Sequence, residues 1–326
     1  PQRNPMKSVL FAFALFLGLA APGATQPYPS KPIKVIVPYP AGGNADITAR
    51  VVSRKMSDIL GVPVVVENRA GANGMIGTDI VAKSAPDGYT LIAPASGPIV
   101  INPVLYSKVP YDSVKDLQPI SQLTSFQYVL IVPASSPIKN IQDLVAQGKA
   151  QPGKLSYGST GIGGGGHLAG EMFALLSGAQ FNHIPYKGSA PALVDLLGGQ
   201  LSFTFDTVST STPLIAEKRV RAFAVSGPAR ASSLPDVPTM AELGFKDFDV
   251  TQFISLLAPA KTDPAIIKKL QEAVALALKD PDVIQNLQVK GGNDLVGSTP
   301  EAFAELIQKE LEMYGALIKK ANIKQE

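Results

Sequence analysis

Short runs of β-branched residues alternate along the chain with longer stretches of helical periodicity. The β-branched runs predict strands at residues 33–37, 63–67, 89–93, 127–132, 154–159 and 181–185. The periodic stretches predict helices at residues 45–60, 76–84, 167–176 and 190–197. Because short buried runs between helices are typical of parallel strands covered on both faces, this pattern predicts an α/β fold.

The last third of the chain is predominantly helical in its pattern. Asp263 and Pro264 supply a cap and a first-position proline for a helix that continues to about Lys279, and Thr299 with Pro300 does the same for the last helix. The last helix carries an apolar stripe at helical spacing, which predicts a face that packs on the core. The members of this stripe are Phe303, Leu306, Ile307, Leu311, Tyr314, Leu317 and Ile318.

Two extended segments, residues 116–128 and 221–228, are predicted to cross between two lobes. One lobe would then contain residues 27–122 and 228–326, and the other would contain residues 123–227. A pair of extended crossings can absorb a rotation with few lost contacts, so this arrangement predicts a hinge.

The first segment has the pattern of a targeting signal. Lys7 precedes an apolar run at residues 9–21, and the small residues Pro22, Gly23 and Ala24 follow it. This pattern predicts a secretory signal peptide at residues 1–24. The apolar run is shorter than the roughly 20 residues that a membrane-spanning helix needs, which disfavours an uncleaved anchor.

Charge and composition exclude several classes of protein. The net charge is +3 and the basic residues are scattered, which argues against a nucleic-acid-binding protein. The chain has no cysteine, which excludes disulfides, thiolate metal sites and cysteine nucleophiles. An ordinary zinc site would need both histidines, His167 and His183, together with suitably positioned carboxylates. We expect no metal and no cofactor.

Two glycine-rich loops, residues 38–46 and 159–167, each join a predicted strand to a predicted helix. Glycine allows backbone N–H groups to approach a ligand closely, and the first turn of a helix has unpaired N–H groups and a partial positive charge. Together these features predict an anion site at the carboxyl ends of the strands. The alternative is that the glycines only form tight turns.

Enzymatic alternatives fit the sequence less well. Gly161, Gly163 and Gly166 match the spacing of a dinucleotide-binding fingerprint, but the next predicted strand lacks the acidic residue that would hold a ribose. A nucleotide-cofactor enzyme is therefore disfavoured. A Ser159–His167–Asp206 trio can be written, but the chain has no Gly-x-Ser-x-Gly elbow at Ser159. We expect a binding protein without catalytic residues.

Seven motifs occur in a characteristic order, at residues 40–46, 66–74, 86–90, 157–167, 183–188, 205–206 and 234–239. With these motifs the chain resembles the extracytoplasmic solute receptors of the tripartite tricarboxylate transporters, also called Bug receptors. The resemblance extends from about Tyr28 to the C-terminus.

This resemblance implies a two-lobed periplasmic binding-protein fold of type II, with two crossing strands as the hinge. It also implies a periplasmic monomer that binds a small carboxylic acid in the cleft and delivers it to the permease subunits of a membrane transporter. A ligand-sensing module of a signalling system is the alternative, because both functions use the closed shape.

The resemblance also implies a set of ligand-binding residues, most of them in the two glycine loops. They are Tyr39, Ala41, Gly42, Gly43 and Asp46 in the first loop, Ser159, Thr160, Gly161, Gly163 and His167 in the second, and Ser96 and Asp206 at further cleft positions. For Asp46 a first-turn carboxylate that matches the helix dipole is the favoured alternative. For Asp206 the alternatives are a helix cap or a partner between the lobes.

Four positions depart from the pattern of the family. Ala45 and Gly164 stand where hydroxyl residues are usual, Phe253 stands where tryptophan is usual, and Ser255 stands where glycine is usual. Fewer hydroxyls, together with the aromatic candidates Tyr39, Phe205 and Phe253, suggest the hypothesis of a less polar acid as ligand.

Overall fold

The computed structural model describes residues 27–186 and 188–323, so the predicted signal peptide at residues 1–24 lies outside the described residues. The strands are β1 (Ile33–Val37), β2 (Val64–Asn68), β3 (Thr90–Ile92), β4 (Leu117–Pro133), β5 (Ser156–Ser159), β6 (Asn182–Pro185), β7 (Phe203–Thr207), β8 (Val220–Val225), β9 (Thr251–Pro259) and β10 (Asp294–Leu295). The helices are α1 (Asn44–Leu60), α2 (Met75–Ala82), α3 (Asn102–Leu105), α4 (Ile141–Ala150), α5 (Gly165–Ser177), α6 (Ser189–Leu197), α7 (Val208–Ala216), α8 (Pro264–Ala277), α9 (Pro281–Ile284) and α10 (Pro300–Lys320).

The first lobe is built around a sheet with the strand order β2-β1-β3-β9-β4. Strand β1 pairs in parallel with β2 and β3, with Val35 opposite Val66 and Leu91. Strand β1 is β-branched and largely buried, as the sequence pattern predicts, because helices cover the sheet. Strand β2 lies at the edge of the sheet and is only partly buried. The short strand β10 pairs with β4 on its other edge.

The second lobe is built around β4, β5, β6, β7 and β8. Strand β5 pairs in parallel with β6 and β7, and β4 pairs with β7 and β8. Strand β4 therefore belongs to both lobes. Its pairing with β9 ends at Gln127 and its pairing with β7 begins at Tyr128. The return crossing follows β8, where the N–H of Val250 donates to the carbonyl of Ser226 at 2.9 Å and the chain enters β9.

The expectation of parallel sheets is correct only for the outer strands of each lobe. Strand β4 is antiparallel to β7, β8, β9 and β10, and β3 is antiparallel to β9. The reason is topological. A chain that enters the second lobe along one crossing strand and returns beside it must run in the opposite direction, so the crossing strands add antiparallel pairs to each sheet.

The last helix packs on the first lobe as its stripe predicts. Phe303, Ile307, Tyr314, Leu317 and Ile318 are buried, and the remaining two members of the stripe are partly buried against the core. Among the described residues, no helix combines the length and the hydropathy that crossing a bilayer would require.

Candidate functional site

The first glycine loop turns the chain from β1 into α1. Gly42 has a φ of 87°, a conformation that glycine adopts without strain, and its N–H donates to Oδ2 of Asp46 at 2.9 Å. Helix α1 begins at Asn44, and no side chain among residues 27–186 and 188–323 caps it. Ala41, Gly42 and Gly43 are exposed. The first-turn N–H groups of α1 therefore remain available to an anion.

Asp46 stabilises the first glycine loop through hydrogen bonds. Its carboxylate is 3% exposed and accepts hydrogen bonds from Gly42, from Nε of Arg50 at 3.0 Å and from Nδ2 of Asn68 at 2.8 Å. Asn68 also donates to the carbonyl of Tyr39 at 3.0 Å. Burial by itself raises the pKa of Asp46, but the hydrogen bonds from Arg50, Gly42 and Asn68 outweigh burial and lower the pKa below its ordinary value. The Asp46 carboxylate is thus hydrogen-bonded to other groups of the protein, which agrees with the alternative of a first-turn carboxylate that matches the helix dipole.

The second glycine loop turns the chain from β5 into α5. Gly161 and Gly163 have φ values of 130° and 76°. The N–H of Gly161 donates to Oγ of Ser159 at 3.2 Å, and the N–H of Gly163 donates to Nδ1 of His167 at 3.0 Å. Thr160 is exposed between them. Within the described chain no side chain caps α5, so this helix also leaves its first N–H groups available.

Two stacked histidines support the second loop. The rings of His167 and His183 are 3.9 Å apart between centroids and 16° from parallel, and Nε2 of His183 lies 2.7 Å from Oγ of Ser159. Burial lowers the pKa of His167 to about 4. Burial, together with the neighbouring His167, lowers the pKa of His183 to about 3. Both rings are therefore neutral at pH 7, and His167 accepts a hydrogen bond through Nδ1.

Asp206 lies at the end of β7 and connects the starts of two helices. It is 3% exposed and accepts hydrogen bonds from the hydroxyls of Ser189 and Thr210 and from Oγ of Ser211 at 3.0 Å. Burial raises its pKa, while these three hydroxyls act in the opposite direction. The carboxylate ties the first residue of α6 to the first turn of α7.

The serine–histidine–aspartate trio that the sequence permits does not assemble. Ser159 is hydrogen-bonded to His183 rather than to His167. The described residues also provide Asp206 with three hydroxyl donors, none of them a histidine. Because a nucleophile needs its base and the base needs its orienting carboxylate, these residues lack the geometry of a catalytic triad.

Ser96 and the two phenylalanines are parts of the core. Ser96 is fully buried, and its Oγ accepts the N–H of Phe253 at 2.9 Å. Phe205 stacks on Phe248 at 5.7 Å, and Phe253 packs edge-on against Phe303 at 5.2 Å. Both rings are buried, and of the three aromatic candidates only Tyr39 lies in a glycine loop. The less polar acid stays a hypothesis.

Tyr128, on the crossing strand β4, connects the two loops. Its hydroxyl packs so closely on Gly165, the first residue of α5, that this position has no room for a Cβ atom. Burial raises the pKa of Tyr128, and the nearby Asp206 and Tyr39 raise it further. The Tyr39 hydroxyl also lies 3.6 Å from where a Cβ on Gly97 would stand. The Tyr128 side chain therefore lies near Tyr39 of the first loop and against the start of α5, which follows the second loop.

The lobes also touch on either side of this phenol. Gly163 of the second loop packs against Leu105 and Ile101 of the first lobe. A Cβ on Gly292, which precedes β10, would lie 3.5 Å from Cα of Ser209 in the first turn of α7. These contacts place the second glycine loop and the start of α7 against the first lobe.

The sequence-predicted residues thus form two groups. The loop residues Ala41, Gly43 and Thr160 are exposed and Tyr39 is half-buried. The side chains of Asp46, Ser96, Ser159, His167 and Asp206 instead make internal hydrogen bonds. Sequence reasoning did not single out Tyr128, His183, Ser189 or Asn68. The position of Tyr128 at the end of a predicted crossing, and the occurrence of His183 in one of the seven motifs, are the signals that could have identified these two residues.

Solved structures of periplasmic proteins match the whole fold. The periplasmic binding protein BugD aligns with a TM-score of 0.79 and 34% identity, covering 92% of this chain and 100% of that one. Rpa4515 of R. palustris, solved with adipate, aligns with a TM-score of 0.82 and 30% identity over 91% of this chain and 99% of that one. MatC of Rhodopseudomonas palustris, solved with bound malate, aligns with a TM-score of 0.79 and 29% identity over 89% of this chain and 100% of that one. The type II, two-lobed periplasmic binding-protein fold is therefore confirmed.

Sequence comparison leads to the same family. Protein BugT of Bordetella pertussis is 38% identical over 318 residues, which cover 97% of each chain. The family model for the tripartite tricarboxylate transporter family receptor matches residues 48–323. The chain therefore belongs to the receptor family of the tripartite tricarboxylate transporters, as the order of its motifs predicts.

Proposed function

We propose that this receptor binds a small carboxylate between its lobes, in the periplasm, and delivers it to the membrane permease of a tripartite tricarboxylate transporter. The single observation that carries the proposal is the pair of helices α1 and α5, each of which begins at a glycine loop without a side-chain cap. We infer that both N-termini face the space between the lobes, because Tyr128 lies against the start of α5 and near Tyr39 of the first loop. Two relatives solved with dicarboxylates, adipate and malate, support a carboxylate as the ligand.

The backbone supplies the donors in this proposal. The N–H groups of Gly42, Gly161 and Gly163 are used inside the loops, whereas those of Ala41, Gly43 and Thr160 donate to no acceptor among the described residues. We assign ligand contact to these three free N–H groups, to the first-turn N–H groups of α1 and α5, and to the Tyr39 hydroxyl. Asp46, Ser159, His167 and Asp206 then have the role of holding the loops in shape.

Two helix termini cannot supply the affinity by themselves. Each contributes about 0.3–1 kcal/mol to a nearby charge, whereas a micromolar ligand needs about 8 kcal/mol. The remainder must come from several charge-assisted N–H bonds and from the exclusion of water when the lobes close. We therefore retain residues 27–122 with 228–326, and residues 123–227, as the proposed moving bodies.

Isothermal titration calorimetry with adipate, malate and the neutral diamide of adipate tests the proposal. The diamide has the length and shape of adipate but no charge, so it serves as the matched control. We expect micromolar or tighter binding of at least one of the dicarboxylates and at least tenfold weaker binding of the diamide. Equal affinity for adipate and its diamide would contradict an anion site, as would failure to bind any member of a panel of mono-, di- and tricarboxylates.

A chemical step has no part in the proposal. A solute receptor releases the ligand that it binds. The acid should be recovered unchanged after incubation with the protein, which mass spectrometry of the released ligand can measure. A modified product would favour an enzyme.

A further inference from the structure

A cavity of about 230 Å³ lies where the last helix crosses the two strands that join the lobes. It shares no lining residue with either glycine loop. Its walls come from β4, β9, α10 and the segment between β8 and β9. The lining includes two acids, Asp249 and Glu310, and the apolar side chains of Phe253, Leu306 and Met313.

Glu310 is the unusual residue of this cavity. It is 8% exposed, and within the described chain its Oε2 has no hydrogen-bond partner. Burial, with a further contribution from Asp249, raises the pKa of Glu310 to about 8, while Lys309 acts in the opposite direction. Below pH 8 the carboxyl group is therefore mainly protonated, and a cationic donor that enters the cavity would favour its ionised form.

Asp249 adds a second carboxylate to the same wall. It is half-buried, and one of its oxygens, Oδ1, accepts the Thr251 hydroxyl at 2.9 Å. Lys309 lines the cavity but is exposed and forms no ion pair among residues 27–186 and 188–323. Tyr314, one turn beyond Glu310 on α10, donates to the carbonyl of Thr251 at 3.4 Å. The charged groups nearest Glu310 are therefore a second acid and a solvated lysine.

Phe253, Leu306 and Met313 form an apolar part of the wall, beside the polar Gln122, Ser125, Thr251 and Gln252. Among the described residues, no group of three His, Cys, Asp or Glu side chains is placed to hold a metal ion. A metal ion would also leave the apolar part of the wall uncovered. An organic ammonium fits better, because its N–H groups can donate to both carboxylates while its alkyl chain covers the apolar side.

We propose that this cavity is a second ligand site, which binds a small primary alkylammonium ion with its charged end on Glu310 and Asp249. The alkyl part packs along Phe253, Leu306 and Met313. This site is independent of the carboxylate in the cleft, so its test does not depend on the function proposed above.

Calorimetric titration with n-butylammonium chloride tests the site, and n-butanol is the uncharged control with the same alkyl chain. The wild-type protein should bind butylammonium at least tenfold more tightly than butanol at pH 8. Glu310→Gln should weaken the binding of butylammonium at least tenfold, because the amide keeps the shape and removes the charge. Glu312→Gln, an exposed glutamate on the same helix, should leave it unchanged.

The pH dependence gives a second readout. Butylammonium remains charged up to pH 9, whereas Glu310 gains its charge as the pH rises towards 8. The affinity should therefore rise between pH 6 and pH 8, by at most about tenfold per unit, in the wild type and not in Glu310→Gln. Asp249→Asn should weaken binding as well, and it provides the test if Glu310→Gln fails to fold. Equal binding of butanol, no binding of butylammonium, or unchanged binding by both variants would overturn the proposal.

Discussion

The hydroxyl of Tyr128 donates to Oε1 of Gln252 at 2.9 Å, which joins β4 to β9 at the point where the chain passes from one lobe to the other. Both residues are buried. The same phenol packs on Gly165 at the start of α5, so a single side chain connects the crossing strands to the second glycine loop. The strength of this connection can be measured by mutation.

Tyr128→Phe should reduce the free energy of unfolding by about 2 kcal/mol, because it removes one hydrogen bond and leaves the buried Oε1 of Gln252 without a donor. Urea denaturation at pH 7 measures the loss. Tyr106→Phe is the matched control, since Tyr106 is only half-buried and its hydroxyl has no hydrogen bond within the described chain. A Tyr128→Phe protein as stable as this control would show that the connection contributes nothing.

Gly43→Val should abolish carboxylate binding and leave the fold intact. The φ of Gly43 is −80°, and the atom nearest to an added Cβ is the Pro40 carbonyl oxygen at 3.9 Å, so the backbone accepts a side chain. A branched side chain would instead stand in front of the free N–H groups. Calorimetry should show at least a tenfold loss of affinity, with a smaller loss in Gly43→Ala. Full affinity in a folded Gly43→Val protein would exclude the first loop from the site.

Gly163→Ala should weaken the contact between the lobes at Leu105. Its φ of 76° already disfavours a side chain, and an added Cβ would collide with the end of the Leu105 side chain. The free energy of unfolding in urea should therefore fall by about 1–3 kcal/mol, and Leu105→Ala should partly reverse this loss in the double variant.

Gly153→Ala separates strain from collision in this experiment. Gly153 has a φ of 73° but no atom within 4 Å of an added Cβ. The control should therefore lose stability through backbone strain alone. If Gly163→Ala loses no more stability than Gly153→Ala, the lobes are not in contact at Leu105 in solution.

The histidine pair should make the protein less stable in acid. The pKa of His167 is about 4 in the folded protein and about 6.5 in the unfolded chain, so the unfolded state binds more protons as the pH falls between these values. The titration of this ring therefore leaves the free energy of unfolding unchanged above pH 6.5 and lowers it progressively between pH 6.5 and pH 4. His183 acts in the same direction, whereas Glu171, whose pKa burial raises, acts in the opposite one.

His167→Gln isolates the contribution of one ring, because glutamine can still accept the N–H of Gly163 and does not titrate. Urea midpoints at pH 6.5 and pH 4 should differ less in this variant than in the wild type. An identical difference in both proteins would mean that His167 takes up its proton in the folded state.

The sequence predicts the elements whose identity depends on local pattern. Strand β1 matches its prediction at both ends, and α1, α5 and α6 begin within two residues of theirs. Residues 116–128 are predicted as an extended crossing and residues 127–132 as a short strand, whereas the structure joins both in the single strand β4, Leu117–Pro133. The strand pairing of the first part is not predicted because Gln118, Pro119 and Gln122 are not strand-forming residues. Their conformation is imposed by pairing with β9, which lies more than a hundred residues away in the chain.

Long-range contacts also explain what sequence reasoning missed in the site. The glycine loops are recognisable because glycine at a strand-to-helix turn has a local meaning. The choice of His183 as the partner of Ser159, and of three hydroxyls as the partners of Asp206, depends on how β5, β6 and β7 lie side by side. No local pattern encodes that adjacency.

The unbroken course of β4 determines how the two halves can move. Because β4 is one continuous strand that belongs to both lobes, any rotation of one lobe against the other twists this strand. Its ladder is irregular between Pro119 and Ser121, between Gln122 and Thr124 and between Leu130 and Ile131. Such irregularities locally increase the twist of a strand and interrupt its pairing. Rotation between the lobes is therefore easiest at these few peptide units.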